Sequence, residues 1–424
     1  MSNQLLEDLQ WRGLIAQSTD LKELEQSLSK PIALYVGFDP TAPSLHVGNL
    51  VVLLVLKRFQ LAGHKPIPLV GGATGLVGDP SGKNEERALN EEKVVAQWVT
   101  RFKAQLEKVI DFTDAKTGAV MANNLDWTKP VSALEFLRDI GKHFSVNQML
   151  AKDSVASRLS TAGISYTEFS YQVLQAFDYL ELYRRHQCKL QIGGSDQWGN
   201  IVAGLDLIRK VEGGTAHALT VPLLAKSDGT KFGKTASGAI WLDPEMTSAY
   251  DFFQYWLNSD DADMPKLLKV FSLKSRGEIE QLIETVKVNP GAREAHRELA
   301  RELTTLIHGA QTAVKVEQAA KALFGQGEIS DLDLTTLISA LSQLPKVQIK
   351  KAEGFPTWVD LLAASGVVDS KSAARRIVKE GGGYLNNKKV ESEDFTPSSA
   401  DLLHGKYLLL RKGKRDLAAV EVVA

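Results

Sequence analysis

Tyr35-Val36-Gly37-Phe38-Asp39-Pro40-Thr41-Ala42-Pro43-Ser44-Leu45-His46-Val47-Gly48-Asn49 joins an apolar strand to a long helix through a turn broken by proline and glycine. Ile32 to Phe38 reads as a buried strand and Leu50 to Leu61 as a helix stopped at Gly63. The turn therefore lies where backbone N–H groups at a helix start point outward. Such groups favour anions. Gly48 lets backbone and ligand approach closely, while His46 and Asn49 can each offer a neutral N–H to a phosphate or ribose oxygen. A turn of this kind can hold ATP.

A second candidate is Lys231-Phe232-Gly233-Lys234-Thr235, which follows the strand Leu219 to Leu224 and the tight turn Ser227-Asp228-Gly229. Two lysines and a hydroxyl on a glycine-hinged loop suit a polyphosphate whose charge grows as pyrophosphate departs. It is not a P-loop, because Gly229 to Gly233-Lys234-Thr235 is one residue short; Gly78 to Gly82-Lys83 is also short and lacks the hydroxyl. Tyr35, Asp79, Tyr171, Gln175, Asp178, Gln191, Asp196 and Gln197 form a third group, of polar residues with no obvious core role. Tyr171, Gln175 and Asp178 share one helix face, which could enclose a small polar molecule. By spacing alone, a solvated surface stripe is the better reading of that face. Seven histidines, at 64, 143, 186, 217, 296, 308 and 404, show no metal-ligand spacing.

These side chains need elements to position them. From Pro31 to about Leu242, the strands Ile32 to Phe38, Ile67 to Val70, Leu190 to Ile192 and Leu219 to Leu224 alternate with amphipathic helices, implying a parallel sheet with helical crossovers. In such sheets ligands bind beyond the carboxyl ends of the strands, where Gly37 to Asn49, Gly71 to Lys83 and Gly193 to Asn200 fall. Asn84 to Tyr183 reads as a mostly helical insertion. From about Ser248 to Leu341 the pattern is helical throughout, 343–356 has the prolines, glycine and lysines of a linker, and Trp358 to Ala424 is a small separate unit.

At 424 residues two or three domains are expected, and a formal net charge of -1 argues against a uniformly basic coat. Basic residues nevertheless concentrate between Lys371 and Arg415, where Arg375, Arg376, Lys379, Lys388, Arg411 and Lys412 could meet RNA phosphates. The lone cysteine, Cys188, rules out an internal disulfide, and a reducing cytoplasmic setting follows. The N-terminus lacks the order of a signal peptide, and no apolar run approaches the ~20 residues of a membrane span.

Taken together, the motifs resemble the bacterial type of tyrosyl-tRNA synthetase, a class I aminoacyl-tRNA synthetase, over nearly the whole chain. His46-Val47-Gly48-Asn49 is similar to the class signature HIGH, with Asn49 in place of its last histidine. Lys231-Phe232-Gly233-Lys234-Thr235 is similar to KMSKS, with Phe232 and Gly233 replacing Met and Ser. Gly71 to Gly75, Gly78 to Lys83 and Gln191 to Asn200 also match, and the C-terminal unit resembles the RNA-binding domain named after ribosomal small-subunit protein four.

The resemblance implies an α/β fold: a Rossmann-like parallel-sheet catalytic domain over 1–245 with a helical insertion, a helical tRNA-binding domain over 246–342, a linker over 343–356, and a small α+β RNA-binding domain over 357–424. It implies that Tyr35 and Asp178 bond the phenol of substrate tyrosine, while Asp79, Tyr171 and Gln175 hold its ammonium, with Gln191 and Gln197 in the same tyrosine site. Gly37, Asp39, Gly48, Gly194 and Asp196 would position the nucleotide. Thr41, His46, Asn49, Lys83, Arg87, Lys231, Lys234 and Thr235 would meet the phosphates. The implied reaction forms tyrosyl-adenylate from ATP, with magnesium on the pyrophosphate and no dedicated protein metal site, and then charges tyrosine tRNA. Gly141 to Leu150 resembles the family's dimer contact, implying a homodimer. The rivals are a tryptophanyl enzyme, a catalytically silent RNA-binding protein and an adenylyltransferase acting on a small acceptor.

Overall fold

A computed structural model describes residues 2–81, 90–152, 155–156, 159, 163–230, 232–235, 238–350, 352 and 354–423, without the side chains of Ser2, Asn3, Lys234 and Thr235. The chain divides into two compact units, Met1–Met246 with Ser259–Leu299, and Thr247–Asn258 with Ala300–Ala424.

The first unit is built on a six-stranded sheet of β1 (Gln17–Ser18), β2 (Ala33–Phe38), β3 (Lys65–Val70), β4 (Ala122–Asn123), β5 (Cys188–Gly194) and β6 (His217–Val221), in the order β1-β6-β5-β2-β3-β4. All neighbouring pairs are parallel except β1 with β6. The central strands are buried along most of their length, which is why they read as near-continuous apolar runs. From β2 the chain proceeds to β3 and β4 on one side and later to β5 and β6 on the other. The crevice at the carboxyl ends of β2 and β5 is therefore the switch point where such sheets bind ligands.

Helix Val47–Leu61 starts three residues earlier than the apolar pattern indicates, because the His46 side chain caps it by accepting from Gly48 N. Helix Tyr166–His186 is capped by Ser165 and ended by Gln187 in the left-handed region at φ 53°, which turns the chain into β5. The insertion, expected to be mostly helical, also supplies β4, the edge strand of the sheet. Two residues are too few to show a period. A small ribbon pairs β7 (Lys234–Thr235) with β8 (Gly238–Ala239).

Between 246 and 342 the chain forms helices Ala249–Leu257, Met264–Phe271, Arg276–Val288, Glu294–His308, Ala310–Leu323 and Leu334–Ser342. The second unit closes with a sheet of β9 (Lys346–Lys350), β10 (Gly383–Leu385), β11 (Lys388–Lys389), β12 (Tyr407–Lys412) and β13 (Asp416–Val423), in the order β11-β10-β12-β13-β9. Trp358, Leu408, Leu410, Ala418 and Val420 lie in its core. The segment 343–356, expected as a linker, thus contributes an edge strand parallel to β13. Val347 and Ile349 pack on that core while the lysines alternate outward, a period of two that the flanking prolines and glycine obscured. Asn386 and Asn387, at φ 47° and 67°, make the two-residue turn between β10 and β11.

Candidate active site

Three strand ends and one helix meet in a single polar network. Tyr171, on helix Tyr166–His186, donates its hydroxyl to Asp39 Oδ2 at 2.5 Å, just beyond β2. Thr74, beyond β3, donates to the other oxygen of Asp39 at 2.6 Å. Asn124, beyond β4, donates from Nδ2 to Thr74 Oγ1 at 2.8 Å and to Asp178 Oδ2 at 3.0 Å, and its Oδ1 accepts from Ala73 N at 2.7 Å. Trp127 Nε1 completes the series by donating to Asp178 Oδ1 at 2.8 Å. Gly71 is required beside this network, because any side chain there would collide with the Asp39 carboxylate and the Thr74 hydroxyl.

Tyr171 and Asp178 are only 5% and 3% exposed, so this helix face is no wet stripe. Three polar atoms are buried around it without a hydrogen-bond partner: Tyr35 Oη, Gln175 Oε1 and Gln191 Oε1. Tyr35 and Gln191 stand opposite each other in the register of β2 and β5, hence on the same sheet face. Leaving such atoms unpaired costs on the order of 1–3 kcal/mol each, a cost that a polar ligand would remove. Burial, reinforced by Asp178, raises the Tyr35 phenol well above its usual range and keeps it neutral. Burial also pushes the Asp178 carboxyl up to about 7, against the hydrogen bonds from Asn124 and Trp127 that favour its ionised form.

Asp79, Asp196 and Gln197 form a second cluster. Gln197 Nε2 donates to Asp79 Oδ2 at 2.7 Å and to Asp196 Oδ2 at 3.1 Å, while Ser81 N donates to Asp79 Oδ1 at 2.9 Å. The Asp196 carboxyl is raised chiefly by burial, and Asp79 adds to the effect. A side chain at Gly194 would strike Asp196. Gly37 is exposed at the carboxyl end of β2.

The His46 turn is held from both sides. His46 Nδ1 accepts from Gly48 N at 3.0 Å and Asn49 Oδ1 accepts from His46 N at 3.1 Å, a reciprocal cap. Because Nδ1 is an acceptor, the neutral ring carries its proton on Nε2. A Cβ on Gly48 would lie 2.7 Å from the imidazole. The stretch after the lysine loop bridges to this turn: Val47 N donates to Ile240 O at 3.0 Å, Ile240 N to Gly233 O at 3.1 Å, and Leu242 N to Leu45 O at 2.8 Å. Gly233, at φ +80°, packs where a Cβ would meet Val47 Cγ2 at 2.8 Å. Phe232 stacks on Phe271, and Ser227 N donates to Asp263 Oδ1 at 2.9 Å, so helix Met264–Phe271 carries the loop from its other side. Thr41 is exposed at the turn. Lys83, Arg87 and Lys231 lie outside the described residues, as do the side chains of Lys234 and Thr235.

On helix Lys371–Lys379 of the second unit, the Arg375, Arg376 and Lys379 side chains are exposed and partly paired with Glu393 and Glu380. Lys388 is exposed as well. Arg411 departs from the expectation of an RNA contact. It is 8% exposed, stacks over the Tyr384 ring at 3.8 Å, and donates to Asn387 Oδ1 and Gly413 O. Its β12 position turns it inward, which a count of basic residues does not register. Lys412 is drawn to Asp416 at 3.1 Å.

Asn124, Trp127 and Thr74 were not singled out as site residues from the sequence. Thr74 lay within a matched motif, but Asn124 and Trp127 belong to the insertion, and no local spacing ties them to Asp178.

A parallel sheet with a histidine-capped turn and a glycine-hinged lysine loop at its switch point, followed by a unit with a second sheet, defines a class I tRNA synthetase. Residues 26–325 match the family described as class I tRNA synthetases (W and Y), and residues 337–420 match the tyrosine–tRNA ligase SYY-like C-terminal domain. The tyrosine–tRNA ligase of Streptomyces avermitilis is 58% identical over 99% of both chains, and that of Thermobifida fusca is 56% identical over 98% of this chain and 99% of its own. The crystal structure of a C-terminally truncated Aspergillus nidulans mitochondrial tyrosyl-tRNA synthetase superposes with a TM-score of 0.69 at 31% identity, covering 76% of this chain and 94% of that one. The chain belongs to the tyrosine–tRNA ligase family.

Proposed function

We propose a division of labour among the residues of this site. The enzyme activates tyrosine with ATP and transfers the tyrosyl group to tRNA. The observation that carries our assignment is the buried Asp178 carboxylate, oriented by Asn124 and Trp127, with the buried, unpartnered Tyr35 hydroxyl near enough to feel its charge. Asp178 and Tyr35 take the phenol of the substrate. Tyr171, Gln175 and Asp79 take its ammonium, with Asp39 fixing the Tyr171 hydroxyl and Gln197 fixing Asp79. Gln191 contributes an acceptor beside Tyr35. Asp196 and Gly194 position the ribose of ATP. His46 and Asn49 act on the phosphates together with Lys83, Arg87, Lys231, Lys234 and Thr235.

In the first step the tyrosine carboxylate attacks the α-phosphorus in line, and pyrophosphate leaves. No covalent enzyme intermediate is needed; catalysis rests on position and on donors that grip the transferring phosphorus more tightly than ground-state ATP. ATP enters as its magnesium complex. Among the described residues there is no group of three or more His, Cys, Asp or Glu able to hold a metal of its own. Tyrosine-dependent exchange of labelled pyrophosphate into ATP tests the assignment: exchange with tyrosine is expected, and exchange with tryptophan in its place would overturn it.

The tRNA body lies on the helical segment 246–342 and on the basic helix Lys371–Lys379. Replacing Arg376 and Lys379 together with Ala is expected to raise the KM for tRNA and flatten its salt dependence by a slope of about two, leaving pyrophosphate exchange unchanged. Tyrosylation measured at several salt concentrations checks this. We further assign the enzyme to the cytoplasm; no described helix is long and apolar enough to cross a membrane.

The enzyme works as a homodimer through the 141–150 region. Within that region Val146 and Leu150 are 59% and 38% exposed, apolar side chains that a partner subunit would cover. Val146→Asp is expected to shift sedimentation toward the monomer.

A further inference from the structure

Trp127 presents more than an N–H to Asp178. Its indole is 4% exposed, and the Arg185 guanidinium lies over its ring at 5.6 Å from the centroid. Arg185 is held there by its own helix: Nε donates to Glu181 Oε2 at 2.8 Å, one turn back. Glu181 is gripped a second time, by Arg184 Nη1 at 3.1 Å, and Arg184 is tied to Glu212 Oε1 at 2.7 Å. A chain of contacts therefore runs from the helix surface through a cation and an indole to the buried carboxylate. We propose that Arg185 is a positioning residue for tyrosine selection, holding the Trp127 ring at the angle that keeps its N–H on Asp178 and balancing the nearby charge of Glu181.

The physical basis has two parts. A guanidinium over an indole face resists tilting of the ring, and tilting would swing Nε1 away from the carboxylate. Charge is the second part. The groups facing Asp178 are Glu181 and Tyr171 on its own helix, Tyr35 on β2 and Asp39 after it; Asp39 and Glu181 both disfavour a second negative charge. Removing the Arg185 cation leaves Glu181 less neutralised, so Asp178 accepts a proton more readily and is a poorer acceptor for a phenol. An ordinary surface ion pair between Arg185 and Glu181 would affect neither amino-acid preference nor its pH dependence.

This inference rests on the reading that Asp178 accepts the substrate phenol, and the test separates the two. In tyrosine- and phenylalanine-dependent pyrophosphate exchange, Arg185→Met is expected to lower the tyrosine-to-phenylalanine ratio of kcat/KM about three- to tenfold. The change should lie in the KM for tyrosine, with kcat and the KM for ATP unaltered, and the acid-side rise of the tyrosine KM should move to higher pH. Arg185→Lys, which retains a cation, should recover most of the ratio. Trp127→Phe should lower the ratio further and reduce the effect of Arg185→Met in its background to the part carried by Glu181. An unchanged ratio and pH profile in Arg185→Met beside a strong effect of Trp127→Phe would overturn the role of Arg185, as would additive effects in the double variant. If Asp178→Asn also left the ratio intact, the reading of the tyrosine site itself would fall.

Discussion

Asp178→Asn abolishes most of the enzyme's preference for tyrosine over phenylalanine. In the wild type each carboxylate oxygen already takes one protein donor, from Asn124 Nδ2 at 3.0 Å and Trp127 Nε1 at 2.8 Å, and has capacity for a phenol. Phenylalanine supplies no donor and leaves a buried charge short of one bond. Tyrosyl-tRNA synthetases reject phenylalanine by about 10⁵, a figure that belongs to the family rather than to these distances. An amide cannot repeat the arrangement, since its NH₂ must face Asn124 or Trp127, both committed donors, and only one oxygen remains. The ratio of kcat/KM for tyrosine over phenylalanine is therefore expected to fall by about 100-fold or more, through loss on tyrosine. A ratio within a factor of three of wild type would refute the assignment.

The same carboxyl gives a pH signature. With its value pushed up to about 7, it is protonated below that pH in the ligand-free enzyme, so the KM for tyrosine should climb as pH falls from 8 to 6 while that for phenylalanine does not. Stability carries the opposite sign. A carboxyl raised from 3.8 to about 7 favours the folded state fully only at low pH; its contribution is lost progressively as pH rises from about 4 and is gone above about 7. Asp178→Asn lacks that component of the wild-type pH dependence, and ligand-free melting curves at pH 5 and pH 8 display it.

His46→Ala should slow tyrosyl-adenylate formation by about 10²–10³ in kcat, the effect of losing one fixed donor to a developing charge. The hydrogen bond from Gly48 N to Nδ1 gives the reason: it fixes the neutral ring with its proton on Nε2, a donor that needs no reorganisation during the reaction. The KM for ATP should change only severalfold, because the interaction belongs to the transition state. The same side chain caps helix Val47–Leu61, so a stability loss of about 1 kcal/mol accompanies the change. His46→Gln, which keeps an N–H, should recover part of kcat. Single-turnover adenylate formation separates these effects; a raised KM for ATP with intact kcat would show that His46 serves ground-state binding alone.

Much of the site was legible because the chemistry lies in consecutive residues. The His46 turn, the lysine loop and Gly193 to Asn200 each follow a strand directly, and strand-then-turn is a local pattern. Tyr171, Gln175 and Asp178 were recognisable as one helix face by spacing, but whether that face was wet or buried depended on what lay across from it. β4 and β9 are not legible in the sequence for different reasons, the first being only two residues long and the second having its alternation hidden among linker-like residues.

The sequence by itself determined the alternation of strands and helices, the polar turns at the carboxyl ends of those strands, and the polar and basic side chains gathered in them, since all of these follow from periodicity and from the types of neighbouring residues. Only the tertiary structure decided that Thr74, Asn124 and Trp127 join Asp39 to Asp178, that Arg411 turns inward onto Tyr384, and that Arg185 covers the indole. Those contacts link segments far apart in the chain. Their existence depends on which strands become neighbours and in what register, and no local rule of spacing encodes that.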